Sequence, residues 1–548
     1  MDVQYGFFEK LYSGEYDSSM LVRNYDESID EAKVQKFMES YDALIKDFPA
    51  REIEAQGVVP DALMKGLKEI GIFGLLIDKK YGGLGFTLSE YLRVVEEMAR
   101  HDMALVLVPL AHLSIGLKGI LLYGSEEQKK QYLTPAASGE MVFGYALTEP
   151  KQGSDAQNVD TKAILSDDGS HYVLNGTKTY ITNANYAGAY TVFAQLDPEN
   201  RPGYMGAFIV ERKWDGVSTG PDMPKMGLKV SSTAALKFKD VKVPKENLIA
   251  AEGDGFKIAM NVLNYGRLGL GAASAGLMNQ SVQDMIKRAT SRKQFSMPIS
   301  EFELIQEKIV RSDAHAMAAR SMTYFTAKML EDDHLMNVAM ESSHTKLYGT
   351  NRCWDTLYDA LQAAGGSGYI STQPYEKRMR DFRVTTIFEG TTEIHSIYPP
   401  LTVFRSWGKL LKSGEKSKLS VFTDLPRPRL GSPVYSDPLL NQGFKLAKKL
   451  EKRFRKLASL GLRTYGKKIA GKEYFLRSMT HLNVAAFALL SSASVLESNK
   501  TNGRALEAAD RRRYEYLMTE ARQLLEDTPK QGISSLEEAG SALWKELK

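Results

Sequence analysis

Hydrophobic positions change their period twice along the chain. From about Asp30 to Glu140 they recur at helical spacing, as in Leu63, Leu67, Ile70 and Ile72, and the glycines of "KKYGGLGFT" (79–87) read as a turn. From Val142 to about Ile249 they fall in short extended runs, "AILSDDGSHYVLNGTKTYIT", "YTVFAQL", "GAFIVER" and "AALKFKDVKVP". The pairs Asp168-Gly169 and Asn175-Gly176 suit tight hairpin turns there. Beyond Gly255 helical spacing returns, with Val282, Met285, Ile286 and Ala289 in one stripe, and runs to about Trp407. The pattern predicts a mainly α protein with a central antiparallel β domain. Its divisions are an N-terminal helical domain (1–140), a β domain (141–252), a helical bundle (253–410), a Ser-, Pro- and charge-rich linker (411–438) and a C-terminal helical extension (439–548).

Two apolar stretches, 104–124 and 483–496, read as buried helices. The first contains Pro109, His112 and Lys118, and the second falls short of the roughly 20 apolar residues that span a bilayer. The composition, 43% hydrophobic and 25% charged over 548 residues, is that of an ordinary globular chain. A net charge of +4 with no aromatic-interleaved basic tract points away from nucleic acid. A single cysteine, Cys353, excludes intramolecular disulfides and multi-cysteine metal sites, and the eight histidines lack metal-ligand spacing, so no metal is expected. Asp2, Glu9 and Glu15 stand where a signal or transit peptide would be basic and acid-poor, so the expected location is cytoplasmic.

Several polar stretches carry a structural and a chemical reading. "LGLGAASAG" (268–276) has Ser274 where a dinucleotide fingerprint needs its third glycine, and no strand precedes it, so helix packing is the better reading. "LQAAGGSGYI" (361–370) is either a helix-to-helix turn or a place where a ligand meets backbone N–H groups. "YALTEPKQGSDAQNV" (145–159) leaves a strand for a polar loop, and "GTKTYITNA" (176–184) offers Tyr180 and Thr182 on a second strand. "SRKQF" (291–295) sets Arg292 beside Phe295 at a helix end. In "IFEGTTEIH" (387–395), Glu389 precedes a glycine and two threonines and has no basic neighbour in sequence; opening a helix is its plainest role.

Taken in order, these stretches resemble the acyl-CoA dehydrogenases, flavoenzymes that introduce a trans double bond between the α and β carbons of an acyl-CoA thioester. The resemblance covers about Phe48 to Arg405 and rests on "GYALTEPKQGSD", "NGTKTYITN", "GFKIAMNVLNYGRLGLGAASAG", "ATSRKQFSMPISEFELIQEKI", "LQAAGGSGY" and "RDFRVTTIFEGTTEI". Within the family, "HDMALVLVPLAHLSIGLKGILLYGSEEQKKQYL" and the region after 438 are most similar to the very-long-chain branch, which carries a helical extension and associates with a membrane.

The resemblance implies a barrel-like β domain and FAD between it and the bundle. Tyr145, Leu147, Thr148, Gly153 and Ser154 would line the flavin and its pyrophosphate, with Tyr180, Ile181 and Thr182 across the ring. Tyr180 stands where the family commonly has tryptophan. Arg292, Phe295, Gln362, Gly365 and Gly366 would hold the adenine half across a homodimer interface, and Thr391 and Glu393 would touch the flavin. Acyl-CoA would meet Ser154, Asn264, Tyr265, Arg267, Phe388 and Gly390. Some members place the base just before that arginine; here the position is Gly266, which leaves Glu389.

Removing an α-proton from a thioester builds enolate-like charge, so a base and preorganised donors at the carbonyl oxygen are both needed. A solvated glutamate, with a pKa of about 4.3, is too weak; enclosure by Phe388 and the acyl chain is expected to raise it. The resemblance implies donors from a ribityl hydroxyl and the Glu389 N–H, and electron-transferring flavoprotein as acceptor.

The run "FKLAKKLEKRFRKLASLGLRTYGKK" (444–468) is basic, with Leu446, Leu450, Phe454 and Leu457 at helical spacing. It predicts either peripheral contact with the inner face of a membrane or a helix docked by its apolar stripe. Long-chain substrates are implied by the branch, although Val106 and Leu110 are larger than the small residues with which long-chain members widen the pocket base. Two other readings are an acyl-CoA oxidase, identified by peroxide production, and an assembly scaffold that tolerates loss of Glu389.

Overall fold

Capping signals set several helix starts. Thr87 and Glu90 form a reciprocal capping box ahead of the helix Leu88–His101, and Ser125 and Gln128 do the same for Glu126–Ala137. The Asp102 carboxylate accepts the Ala104 N–H and opens Met103–Leu110. Pro109 lies in that helix, and a π-turn over Ala111–Gly116 follows it. The turn carries His112, whose Nδ1 accepts the Phe143 N–H at 2.9 Å and so ties the helix to the first strand. Burial draws the His112 pKa down to about 4, which keeps the ring neutral and able to accept.

The computed structural model describes residues 4–13, 16, 18–412, 431 and 435–547. Most of the 411–438 linker therefore lies outside the described residues. The chain divides into two units, Ser28–Gln280 with Leu357–Glu389, and Met1–Glu27 with Ser281–Thr356 and Gly390–Lys548.

The first unit contains the N-terminal helices and a seven-stranded sheet: β1 Val142–Ala146, β2 Lys162–Leu165, β3 His171–Thr182, β4 Ala187–Gln195, β5 Met205–Glu211, β6 Val217–Thr219 and β7 Thr233–Pro244. The order β2-β3-β7-β6 and the pair β4-β5 are antiparallel, as expected. β1 runs parallel to β4, and β2 meets β4 in parallel at Lys162 and Gln195. Tyr172, Tyr190, Val192, Phe208 and Leu236 are fully enclosed in the sheet's core.

Asp168-Gly169 turns between β2 and β3 as predicted. Asn175-Gly176 does not: it lies inside β3, where the register to β7 shifts between Leu174 and Gly176. A Cβ on Gly176 would stand 2.3 Å from Thr161 Oγ1, so this glycine serves a close approach rather than a reversal.

"LGLGAASAG" is helical, within Gly255–Ser291, and Gly276 lets the Glu96 carbonyl come within 1.9 Å of where a Cβ would be. The segment that leads to Glu389 is pinned by buried charge. Lys377, on Tyr375–Phe382, donates to Asp102 at 2.8 Å and Asp381 at 2.6 Å, and Asp381 accepts the Leu228 N–H at 2.6 Å.

In the second unit the helix Glu473–Thr501 is largely buried and packs against Glu303–Asp332, Thr392–Lys412, Pro438–Tyr465 and Ala508–Asp527. Both apolar stretches noted in the sequence are buried helices. Pro438–Tyr465 buries Leu446, Leu450, Phe454 and Leu457, which fulfils the docked reading of its apolar stripe, while Lys445, Lys448, Lys449, Lys452 and Lys456 are exposed. The N-terminal helix Phe7–Ser13 belongs to this unit and buries Phe7, Phe8, Leu11 and Tyr12. Tyr12 donates to Glu451 and accepts from Asn483 Nδ2 at 2.6 Å.

Candidate active site around Glu389

Glu389 is left-handed at φ 57, a conformation that costs a non-glycine residue on the order of 1 kcal/mol. Tertiary contacts hold it there. Arg267, on Gly255–Ser291, donates Nε–H to the Glu389 carbonyl at 3.4 Å and Nη1–H to Asn264 Oδ1 at 3.3 Å. The basic neighbour missing from the local sequence is thus supplied by the fold, and it reaches the backbone of Glu389.

The carboxylate lies against Gly266. A Cβ built on that residue would be 2.5 Å from Oε1 and 2.7 Å from Oε2, so only glycine leaves the carboxylate its place. The competitor position read from the sequence as unable to serve as a base is therefore the seat of the Glu389 carboxylate.

Two tyrosines feel the Glu389 charge. Burial first, then Glu389, push the Tyr145 hydroxyl well above its ordinary pKa, with Arg267 opposing; its O–H donates to the Ala259 carbonyl at 3.1 Å. Tyr91 is raised by burial, with Glu389 adding, and shares a 2.9 Å hydrogen bond with Ser114. Tyr91 and Ser114 were not singled out from sequence; Tyr91 sits at an ordinary position of an amphipathic helix and Ser114 in the π-turn, and neither carries a local signal of its own. Tyr265 turns its ring beneath the Lys118 ammonium, 4.4 Å away, and burial alone draws that lysine down to about 7.

The two stretches expected to face a flavin are joined side by side. Thr179 N–H donates to the Thr148 carbonyl at 2.9 Å, and Lys178 Nζ donates to the Leu147 carbonyl at 3.1 Å and to Glu149 at 2.7 Å. Burial pushes the Glu149 carboxyl up, but Lys178 and the Asp160 and Thr161 N–H groups outweigh it and hold it below its usual range. This ion pair locks Tyr145, Leu147 and Thr148 beside Tyr180, Ile181 and Thr182.

Tyr180 is 67% exposed at φ 56, with its ring presented to solvent, and Gly153 and Ser154 lie in the open loop after β1. A Cβ on Gly153, Gly365 or Gly366 would meet nothing within 4 Å. An exposed ring, hydroxyls and open glycine backbone suit a large planar, phosphate-bearing cofactor.

Gln362, Gly365 and Gly366 form the exposed end of Ala339–Ala364 and the turn after it; Phe388 is half-buried. Arg292 and Phe295 are exposed on a two-stranded hairpin of the other unit, Phe295 at 89%. In that unit, whose last stretch begins at Gly390, the helix Thr392–Lys412 has Thr391 at its start, accepting the Ile394 N–H at 3.4 Å, and Glu393 exposed. Gly390 has φ 96, its carbonyl accepts from Lys346 Nζ at 2.7 Å, and His395 fills the space a side chain would need. Lys346 carried no sequence signal.

Helices, a β domain and a further helical bundle, with a glycine-seated glutamate whose charge reaches the buried Tyr91 and the half-buried Tyr145, define the class. Family models described as the N-terminal, middle and C-terminal domains of acyl-CoA dehydrogenase match residues 32–140, 144–241 and 253–397. A probable acyl-CoA dehydrogenase of Bacillus subtilis is 34% identical over 502 residues, covering 87% of this chain and 82% of that protein. The human mitochondrial very long-chain specific acyl-CoA dehydrogenase is 39% identical over 369 residues, 66% of this chain and 56% of that protein, so the match spans little more than half of that relative. A crystal structure of an acyl-CoA dehydrogenase from Bacillus anthracis complexed with FAD has a TM-score of 0.79 at 31% identity, covering 93% of this chain and 90% of that one. The chain belongs to the acyl-CoA dehydrogenase family.

Proposed function

We propose that the protein dehydrogenates long-chain fatty acyl-CoA to trans-2-enoyl-CoA, with Glu389 as the base. The observation that carries this is the Glu389 carboxylate seated over Gly266 in a left-handed turn whose carbonyl Arg267 holds. The buried setting of Tyr91 and the desolvation of the Tyr145 hydroxyl favour proton abstraction over solvation. The Glu389 N–H is the backbone donor for the thioester oxygen. Tyr145, Leu147, Thr148, Gly153, Ser154, Tyr180, Ile181 and Thr182 would hold FAD, which would supply the hydride acceptor. Asn264, Tyr265, Arg267 and Phe388 hold the acyl-CoA.

Electron-transferring flavoprotein is the proposed acceptor, and the similarity to very-long-chain enzymes supports long acyl chains. The exposed Phe295 and the open Gly365-Gly366 backbone support a homodimer that completes the adenine site, which the mass in solution reads out. The exposed lysine face of Pro438–Tyr465 supports peripheral contact with the inner, anionic face of a membrane, from the cytoplasm.

Glu389→Gln tests the base. The variant is expected to remain folded, yellow and FAD-loaded but not to bleach with acyl-CoA under anaerobic conditions. Bleaching at the full rate would exclude Glu389 as the base.

A further inference from the structure

The turn at Glu389 contains two successive left-handed residues, Glu389 at φ 57 and Gly390 at φ 96. A turn of this kind keeps its shape only where its surroundings over-determine it. Arg267 holds the Glu389 carbonyl. The stretch that follows, Gly390 to His395, is gripped by side chains of one helix, Ala339–Ala364.

Lys346 Nζ donates to the Gly390 carbonyl at 2.7 Å. Ser343 Oγ shares a 2.7 Å hydrogen bond with His395 Nδ1, and Nε2 of the same ring stands 2.7 Å from where a Gly390 Cβ would be. Asn351 Oδ1 accepts the Thr392 hydroxyl at 3.1 Å. Ser343 and Lys346 are three positions apart and so share a helix face. Gly390 is therefore held at its carbonyl by one of them and closed on its Cβ side by a ring that the other steadies.

Lys346 is fully buried, within a run from Met340 to Thr350 in which every residue is buried. An apolar side chain would fill that volume without taking an amine out of water, so a lysine there is explained by what it bonds. We propose that Lys346 is a positioning residue for proton abstraction. By holding the Gly390 carbonyl it fixes the residue bonded to Glu389, and with it the direction in which the carboxylate leaves the backbone. The inference rests on Glu389 as the base and adds what keeps that base in register. Without the bond the turn can relax toward commoner backbone angles, and a shift of about 1 Å at a reacting group lowers a rate by about a hundredfold at most.

The test compares the full-length, FAD-loaded protein with its Lys346→Met and Lys346→Arg variants by anaerobic stopped-flow bleaching. The substrate is octanoyl-CoA or palmitoyl-CoA, whichever bleaches the unmodified protein faster, together with its α,α-dideuterated form. Methionine keeps most of the volume and removes the donor, whereas arginine keeps a donor. In Lys346→Met the limiting rate is expected to fall about thirtyfold while the half-saturating substrate concentration changes by less than about twofold. The deuterium effect on that rate should grow as proton abstraction becomes the slow step, and Lys346→Arg should bleach about fivefold faster than Lys346→Met. If Lys346→Met does not fold, Lys346→Gln is judged by the same criteria. A limiting rate and deuterium effect within about twofold of the unmodified protein, or a loss that lies entirely in half-saturation or FAD content, overturns the inference alone. An unmodified protein that bleaches with neither substrate, or a Glu389→Gln variant that bleaches at the full rate, overturns the reading of Glu389 as the base and this inference with it.

Discussion

Replacing Gly266 by alanine separates the geometry of the base from its chemistry, because it adds one methyl group and removes nothing. The new Cβ would lie 2.5, 2.7 and 2.8 Å from Oε1, Oε2 and Cδ of Glu389. Carbon and its non-bonded neighbours rest at about 3.5 Å, so the carboxylate must withdraw by about 1 Å. It is the far end of a flexible side chain, and an off-rotamer adjustment costs about 1 kcal/mol. Alanine in place of a mid-helix glycine returns a similar amount, so the folded protein should be about as stable as before.

The rate should not survive as well. Displacement of a reacting group by about 1 Å costs on the order of a hundredfold, equivalent to about 2.7 kcal/mol at the transition state. Stopped-flow bleaching of the flavin by acyl-CoA under anaerobic conditions reads the rate, and thermal unfolding checks that the fold is intact. Bleaching within about threefold of the unmodified rate, in a stably folded variant, would show that the carboxylate over Gly266 is not in its reactive position.

Two further predictions concern the second unit. Burial raises the Glu451 carboxyl to about 8, against roughly 4.3 in an unfolded chain, so the folded state keeps the proton longer. As pH rises from about 4.3 to 8 the unfolded state loses its proton first, and stability falls by an amount on the order of a few kcal/mol. Glu451→Gln stays neutral and still accepts the Tyr12 hydroxyl, so its urea midpoint should change less between about pH 5 and 8; equal slopes would refute the assignment. Reversing Lys448, Lys449, Lys452 and Lys456 to glutamate should abolish salt-sensitive sedimentation with anionic liposomes; undiminished sedimentation would show that this face is only solvated.

Periodicity made the sequence of helical, β and helical regions legible, since each element's spacing is a local property. The motif order and Glu389 were legible too, because a carboxylate followed by glycine and two threonines is a contiguous pattern. Asn175-Gly176 misled for a matching reason: the pair has turn chemistry, but its register depends on Thr161 pressing against it from elsewhere in the chain. The apolar stripe of Pro438–Tyr465 announced an amphipathic helix without saying what it faces, and only packing showed it buried.

By itself, then, the sequence determined the elements, the family's ordered motifs and the glutamate proposed as the base. Tertiary structure decided what stands around that base. Gly266 and Glu389 are remote in sequence yet interlock to within one carbon atom; Arg267 reaches the glutamate's carbonyl; Tyr91 and Ser114 meet across two helices; Leu110 occupies the hollow of Gly269. Spacing along a chain records which face of an element is apolar, whereas a seat for a carboxylate is a volume, and volumes exist only between elements that have packed.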